Sequence, residues 1–445
     1  MKAFKKLLPL ILCCVLLAAC GSEAAPTAPE TTAAPTAPVL EILDWADDIQ
    51  PSADTVKQAV TVRSFIDGDT THFFVPEEVN PEGVLKARFL AVNAPESTGK
   101  IEEYGKAASR FTREKLENAA EILIESEDGA WNADSTSERF LVWVWYKPQG
   151  SDTWRNLNVE LLQEGLAYAN SAASNRYGDT CMGAIQQAKA AKVNIYSGRK
   201  DPEFYYGEAI ELTLRELRCN IESYNGMKVA FSGVITANSG TQGVYVEDYD
   251  AETNQYFGMY IYYGHGLNGA GLDALTVGNL ARIVGTVQYY EAGGTWQVSD
   301  LSYRLMQPDD PNNVQKLDEG YSPAYTPIDL ETFASEVTIP NGETELTVRW
   351  TALALGTSVE MKGLQVVDAY TTDNADSSSY GAITLICEAE GGNVTVRTVP
   401  MKDTDGNLIT QDDYLGKYID VKGIVDFFDG AYQIKVFTPD NIIIN

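Results

Sequence analysis

The stretch RFLAVNAPES, residues 88–97, sets an arginine and a glutamate eight positions apart across an apolar run. Alternation of this kind reads as a strand, with Arg88 at its start and Glu96 in the turn after it. A guanidinium presents a rigid fork of donors to the oxygens of an anion. A carboxylate within reach of water can orient that water or take its proton. Two further groups carry compatible chemistry, Asp67-Gly68-Asp69-Thr70 upstream and Asp134 with Arg139 downstream. Singly, each has an ordinary reading. Asp-Gly between alternating segments is a hairpin turn, an arginine at a strand end is a solvated charge, and Pro-Glu after a strand is another turn.

The surrounding pattern supplies elements to hold these residues. An alternating region runs from Val60 to Val75, and helical periodicity follows from Tyr104 to Ala120. RFLVWVWY, 139–146, reads as a strand whose Trp143 and Trp145 are barrel residues rather than a binding platform. NVELLQEGLA reads as a helix capped by Asn158 and ended by Gly165, and a third helix spans Asp179 to about Ile195. His72, on an alternating strand, reads as a surface residue.

DGDT, then Arg, four residues, Asn-Ala-Pro-Glu, the helix EYGKAASRFTREKLENA and Asp-x4-Arg occur in one order that resembles the staphylococcal nuclease family. The resemblance covers residues 55–198, about a third of the chain, and extends to NLNVELLQEGLA and AKAAKVNIYSG. It implies a five-stranded OB-type β-barrel with three helices and a phosphodiester substrate, DNA and/or RNA, cut by water to leave a 3′-phosphate. It also implies catalytic roles for Arg88, Glu96 and Arg139, and a Ca²⁺ held by Asp69, Asn93 and the backbone carbonyl of Ala94. Attack on a phosphodiester adds negative charge at phosphorus, which two guanidiniums and a hard cation offset.

Two positions depart from the family pattern. Asn93 stands where the family has Asp, so the site loses one formal charge and is expected to bind calcium more weakly. Dissociation constants of about 10⁻⁴–10⁻³ M still serve extracellular calcium modules. The family places two tyrosines six and eight residues after the Gly of GLA, where this chain has Ser171 and Ala173. Tyr168 and Tyr177 lie nearby, out of register.

The C-terminal half repeats itself. Gly226–Gly233, Gly278–Gly285, Gly356–Gly363 and Gly416–Gly423 each place an alternating strand between glycines seven apart. A glycine within a strand lets it bend and serve both sides of a small barrel. With the following TWQV and AYQI strands, this pattern resembles two further OB-like barrels. The expected fold class is therefore mainly β with some α. The expected order is a nuclease-like domain at 51–200, one barrel at 205–305, a linker at 306–344 and a second barrel at 345–445. QYFGMYIYY, 255–263, reads as a hairpin with one packed aromatic face, and the acidic stretch 371–379 lacks the spacing of a calcium loop.

The first twenty residues read as a lipoprotein signal: Lys2, Lys5 and Lys6, an apolar stretch, then Leu17-Ala18-Ala19-Cys20, with Cys20 as the lipidated residue. Residues 21–50 begin as a Pro/Thr/Ala-rich tether. These features predict an exported chain, lipid-anchored to the bacterial membrane and facing outward. Beyond the signal, three widely spaced cysteines and two histidines in all leave no disulfide framework and no zinc spacing. Residues 201–445 carry 13 basic and 36 acidic side chains, a charge that repels a polyanion at long range. Nothing in the sequence calls for an obligate protein partner. The reading that results is a calcium-dependent extracellular nuclease. Its alternatives are a catalytically weakened nucleic-acid-binding protein, or a surface adhesion lipoprotein on a nuclease-like fold.

Overall fold

A computed structural model describes residues 42–445, apart from 135–138, 241, 375–376 and 378. The expected signal, its Cys20 and most of the expected tether lie outside the described residues. Among those described, no helix is long and apolar enough to cross a membrane.

Three closed five-stranded barrels follow one another. In the N-terminal barrel the strands are β1 (Lys57–Phe65), β2 (Thr70–Phe74), β3 (Val84–Phe89), β5 (Ala119–Glu125) and β6 (Phe140–Pro148), with a short β4 (Val92–Asn93) between β3 and helix α1 (Gly105–Glu117). They run β3-β2-β1-β5-β6, and β6 closes onto β3 as the one parallel pair of the ring. Helix α2 (Leu157–Gln163), strand β7 (Tyr168–Ala169) and helix α3 (Gly178–Ala191) complete this unit. β6 is buried on both faces, with Val142, Trp143, Val144 and Trp145 all inaccessible. The indoles still satisfy their N–H groups: Trp143 Nε1 donates to Glu127 at 2.7 Å, and Trp145 Nε1 to Glu125 at 2.7 Å. Tyr177 packs edge-on against both rings, 4.9 and 5.5 Å between centroids, and is thus a core residue.

After helix α4 (Leu214–Cys219), the middle barrel uses β8 (Lys228–Asn238), β9 (Gly243–Asp250), β10 (Gln255–Tyr262), β11 (Leu280–Tyr290) and β12 (Thr295–Ser299). The C-terminal barrel uses β16 (Ser358–Thr371), β17 (Ile383–Ala389), β18 (Gly392–Thr398), β19 (Tyr418–Phe428) and β20 (Ala431–Val436). Both repeat the N-terminal order: first strand to second, third, fifth and fourth, which returns to the first. In both, the third and fifth strands are again the parallel pair. The four glycine repeats are β8, β11, β16 and β19, and within each barrel the two copies pair with each other.

Several local expectations change. The cap of α2 is Asn156, whose side chain accepts from the Val159 N–H at 3.0 Å. Asn158 is instead fully buried, donating to the Leu90 and Val142 carbonyls and accepting from the Val144 N–H, so it ties α2 to the barrel. The expected tether ends before residue 50: Ala46 is buried, Trp45 lies against Gly183 of α3, and the Trp45 N–H donates to Gln163. The segment 306–344 is no free linker. β13 (Gln315–Asp318) joins β11, and the hairpin of β14 (Glu336–Asn341) and β15 (Thr344–Arg349) packs Ile339 into the middle barrel's core.

Candidate functional site

Arg88 is the penultimate residue of β3 rather than the start of a strand. The apolar run breaks at Ala91, which takes a left-handed φ of 68°, a conformation few non-glycine residues adopt. The chain then makes only the short β4, which pairs with β7. This kink separates Arg88 from Asn93 in direction and brings their side chains together. Arg88 Nη2 donates to Asn93 Oδ1 at 2.6 Å, and Arg88 Nη1 is ion-paired with Asp69 Oδ1. The guanidinium therefore bridges the two side chains expected to share a metal.

Asp69 is only 1% exposed and lies at the start of the β2 edge that faces β3. Its Oδ2 accepts the Ala94 N–H at 2.7 Å and its Oδ1 the Thr70 hydroxyl at 3.1 Å, while its own N–H donates to Asp67 at 3.0 Å. Gly68 between the two aspartates has no room for a side chain: a Cβ there would meet the Cβ atoms of Ala108 in α1 at 2.7 Å and of Ala94 at 2.9 Å. The Asp-Gly-Asp turn is thus wedged between α1 and the turn that leads to Glu96. Thr112 of α1 fastens it further by donating to the Gly68 carbonyl at 2.6 Å.

Glu96 sits at the other side of the same wedge. Its carbonyl accepts from the Glu102 N–H at 2.9 Å, and Gly105 at the head of α1 lies so close that any Cβ would collide with it. Partial burial pushes the Glu96 carboxyl upward, as do the charges of Asp67 and Glu102, while Arg88 and Arg139 pull it down. The two arginines, Asp67 and Glu96 therefore feel one another's fields. Arg139 immediately precedes β6, and the parallel register sets Ala87 opposite Phe140 and Arg88 opposite Leu141. Arg139 is then two steps back from the Arg88 level, on the same face of the sheet. Its Nη2 lies 2.9 Å from Asp134 Oδ2.

Sequence reasoning named Asp69, Arg88, Asn93, Ala94, Glu96 and Arg139, and all six gather here. It missed two residues. Asp67, taken only as part of a turn, is a buried carboxylate beside Asp69. Tyr168, set aside as out of register, stands directly opposite Asn93 in the β4–β7 pair and is 48% exposed. Neither position follows from spacing, because the first depends on burial and the second on a two-residue ladder. His72 also differs from expectation: it is half-buried, and desolvation with the nearby Lys86 and Arg63 charges holds its pKa down at about 4.

The donor set suits a hard cation. Asp67, Asp69 and Asn93 offer oxygen atoms only, the preference of Ca²⁺. Burial and the Asp67 charge push the Asp69 carboxyl upward, and Arg88 offsets them only in part, so a further cation at this place would favour its ionised form. A cation shared by Asp69 and Asn93 would take the place that the Arg88 guanidinium spans.

Residues 86–198 match the family model of staphylococcal nuclease homologues. The matched span contains Arg88, Asn93, Ala94, Glu96 and Arg139, and the barrel brings the Asp67-Gly68-Asp69 turn alongside it. No curated protein matches the chain.

Proposed function

We propose that this protein is a calcium-dependent nuclease that hydrolyses phosphodiester bonds of DNA or RNA at the cell surface, with Cys20 carrying a lipid anchor. The carrying observation is the convergence of Arg88, Arg139, Glu96 and the two aspartates on the mouth of one barrel that matches a nuclease family.

Calcium, held by Asp69, Asn93 and the Ala94 carbonyl with Asp67 behind them, would supply positive charge to the phosphate oxygens. Displaced from Asp69, Arg88 is freed to fork onto the same phosphate, and Arg139 approaches from the neighbouring strand. Glu96 orients the attacking water and takes its proton. Burial raises the affinity of its carboxyl for a proton, the direction that strengthens a general base. Tyr168 offers an exposed ring beside the metal edge for a base to stack on. The bridge from Arg88 to Asp69 and Asn93 also favours a second reading, a binding protein whose metal site the arginine has taken over.

One assay separates them. Cleavage of single- and double-stranded DNA and of RNA is followed while Ca²⁺ is raised from micromolar to millimolar, beside Glu96→Gln. Calcium-dependent cutting that Glu96→Gln lowers by about 10²–10⁴-fold supports the enzyme. No cutting at any calcium level, with nucleic acid still bound, supports the binding protein.

A further inference from the structure

The loop that follows Glu96 reaches out of its own barrel. Gly99 is gripped by the middle barrel, its N–H donating to Gln288 at 3.0 Å and its carbonyl accepting from Gln288 at 2.9 Å and Ser299 at 3.1 Å. Beside it, where the loop meets both later barrels, opens a cavity of about 640 Å³. Its size is that of small-molecule sites in general. Thr98 lines it and lies only two residues from Glu96, no more than about 7 Å along the chain.

The walls are aromatic. Tyr245, Tyr260, Tyr290 and Trp296 come from the middle barrel and Phe427 from the C-terminal one. Into the same space faces Arg218 of α4, which is 7% exposed. Its Nε and Nη2 donate to the Gly258 carbonyl at 3.2 and 2.5 Å, and Nη2 also to the Leu355 carbonyl at 3.0 Å. Among the described residues no carboxylate pairs with it. Among the described residues lining the cavity the one carboxylate, Asp426, is already engaged by Gln433 at 2.8 Å, by the Tyr245 hydroxyl at 3.3 Å and by Lys435 at 3.9 Å. A buried guanidinium satisfied only by carbonyls still lacks a counter-charge. Burial lowers the Arg218 pKa to about 10, which leaves it cationic at pH 7.

We infer that this cavity binds a nucleoside phosphate unit, its base against the aromatic walls and its phosphate on Arg218. Planar rings favour a planar base. The unpaired cation selects an anion, which a neutral sugar would not supply. The volume admits one such unit but no duplex, and the strong negative charge of residues 201–445 opposes a longer polyanion. The binding stands on its own observations; only the source of the ligand, as product or strand end from the neighbouring Glu96 site, rests on the proposed nuclease activity.

The test is calorimetric titration of the full-length chain carrying Glu96→Gln, with calcium chelated so that nothing is cut. The probes are a nucleoside 3′-monophosphate, a 5′-monophosphate, inorganic phosphate, a neutral oligosaccharide and a short single-stranded oligonucleotide with a terminal phosphate. Saturable binding of a nucleotide at least tenfold tighter than phosphate is expected, with a tenfold or greater loss in Tyr290→Ala and in Trp296→Ala. Arg218→Gln should act alike; if burial makes that variant unfold, Tyr290, a partly exposed ring, keeps the test intact. Equal binding of free nucleotide and oligonucleotide identifies a product site, and tighter oligonucleotide binding identifies a strand-end site. Absence of nucleotide binding, binding indifferent to both aromatic substitutions, or binding of the oligosaccharide alone overturns the inference. Cleavage by the unsubstituted chain in calcium is scored separately, so either proposal can fail without the other.

Discussion

At the scale of single residues, Arg88 has two possible tasks and one side chain. It is ion-paired with Asp69 and donates to Asn93, and under the proposed mechanism it would leave both to meet a phosphate. If Asn93 is a calcium ligand as proposed, it would set how readily that exchange happens, because an amide oxygen attracts a divalent cation less than a carboxylate does. Asn93→Asp should therefore lower the calcium concentration for half-maximal activity, by about tenfold or more. It should also strengthen calcium binding measured by calorimetry without substrate. If affinity is unchanged, Asn93 is not a ligand. Glu96 differs from Asn93 in that its electrostatics come from four charged residues spread from position 67 to position 139, which is why its setting could not be inferred from its own neighbours in sequence.

At the scale of elements, the site is a wedge: α1 presses Gly68 from one side and Glu96 from the other through Gly105. The β2–β3 ladder beneath it sets His72 opposite Lys86, and that pairing has a pH consequence. His72 titrates at about 4 in the folded chain against 6.5 for an unperturbed histidine, so between those values the unfolded chain binds a proton that the folded chain refuses. Stability contributed by neutral His72 is thus present above about pH 6.5 and lost as the pH falls toward 4. Urea midpoints at pH 7 and pH 5 should drop less in His72→Gln than in the parent chain. Equal drops would show that His72 carries none of the pH dependence.

The DGDT, Arg and NAPE motifs were legible in sequence because their residue types and order are set by chemistry. The β4–β7 ladder was not, because two residues carry no periodicity. The Asn158 cap failed for a related reason: Asn156 and Asn158 are equally good caps by type, and only burial of the second decides between them.

At the scale of the molecule, three copies of one strand order have been joined by specific polar contacts rather than by loose connections. Glu247, on β9 of the middle barrel, is 2% exposed and accepts from the Ser358 N–H at 2.7 Å, the Ser358 hydroxyl at 2.8 Å and the Ala324 N–H at 2.8 Å. Gly258 meets Gly356 backbone to backbone beside it. Glu247→Ala strips three donors of their acceptor, the two on Ser358 buried and the Ala324 N–H part-buried. About 1–3 kcal/mol of stability should be lost, and the C-terminal barrel should melt apart from the middle one in calorimetry. A single unaltered transition would mean that this junction does not couple them.

By itself the sequence pointed to the kind of protein: two barrels from glycine-punctuated alternation, and a third, with a nuclease-like set of arginines, acids and an amide, from motif order and the resemblance it carries. These are properties of local pattern, and local pattern survives without a partner to pack against. Tertiary structure alone decided that Arg88 spans Asp69 and Asn93, that Asp67 and Tyr168 join the site, and that 306–344 packs instead of linking. It alone placed an unpaired Arg218 among aromatic rings contributed by two barrels, next to the loop after Glu96. Each of these depends on distances between residues far apart in the chain, which closure of the barrels sets and residue type does not.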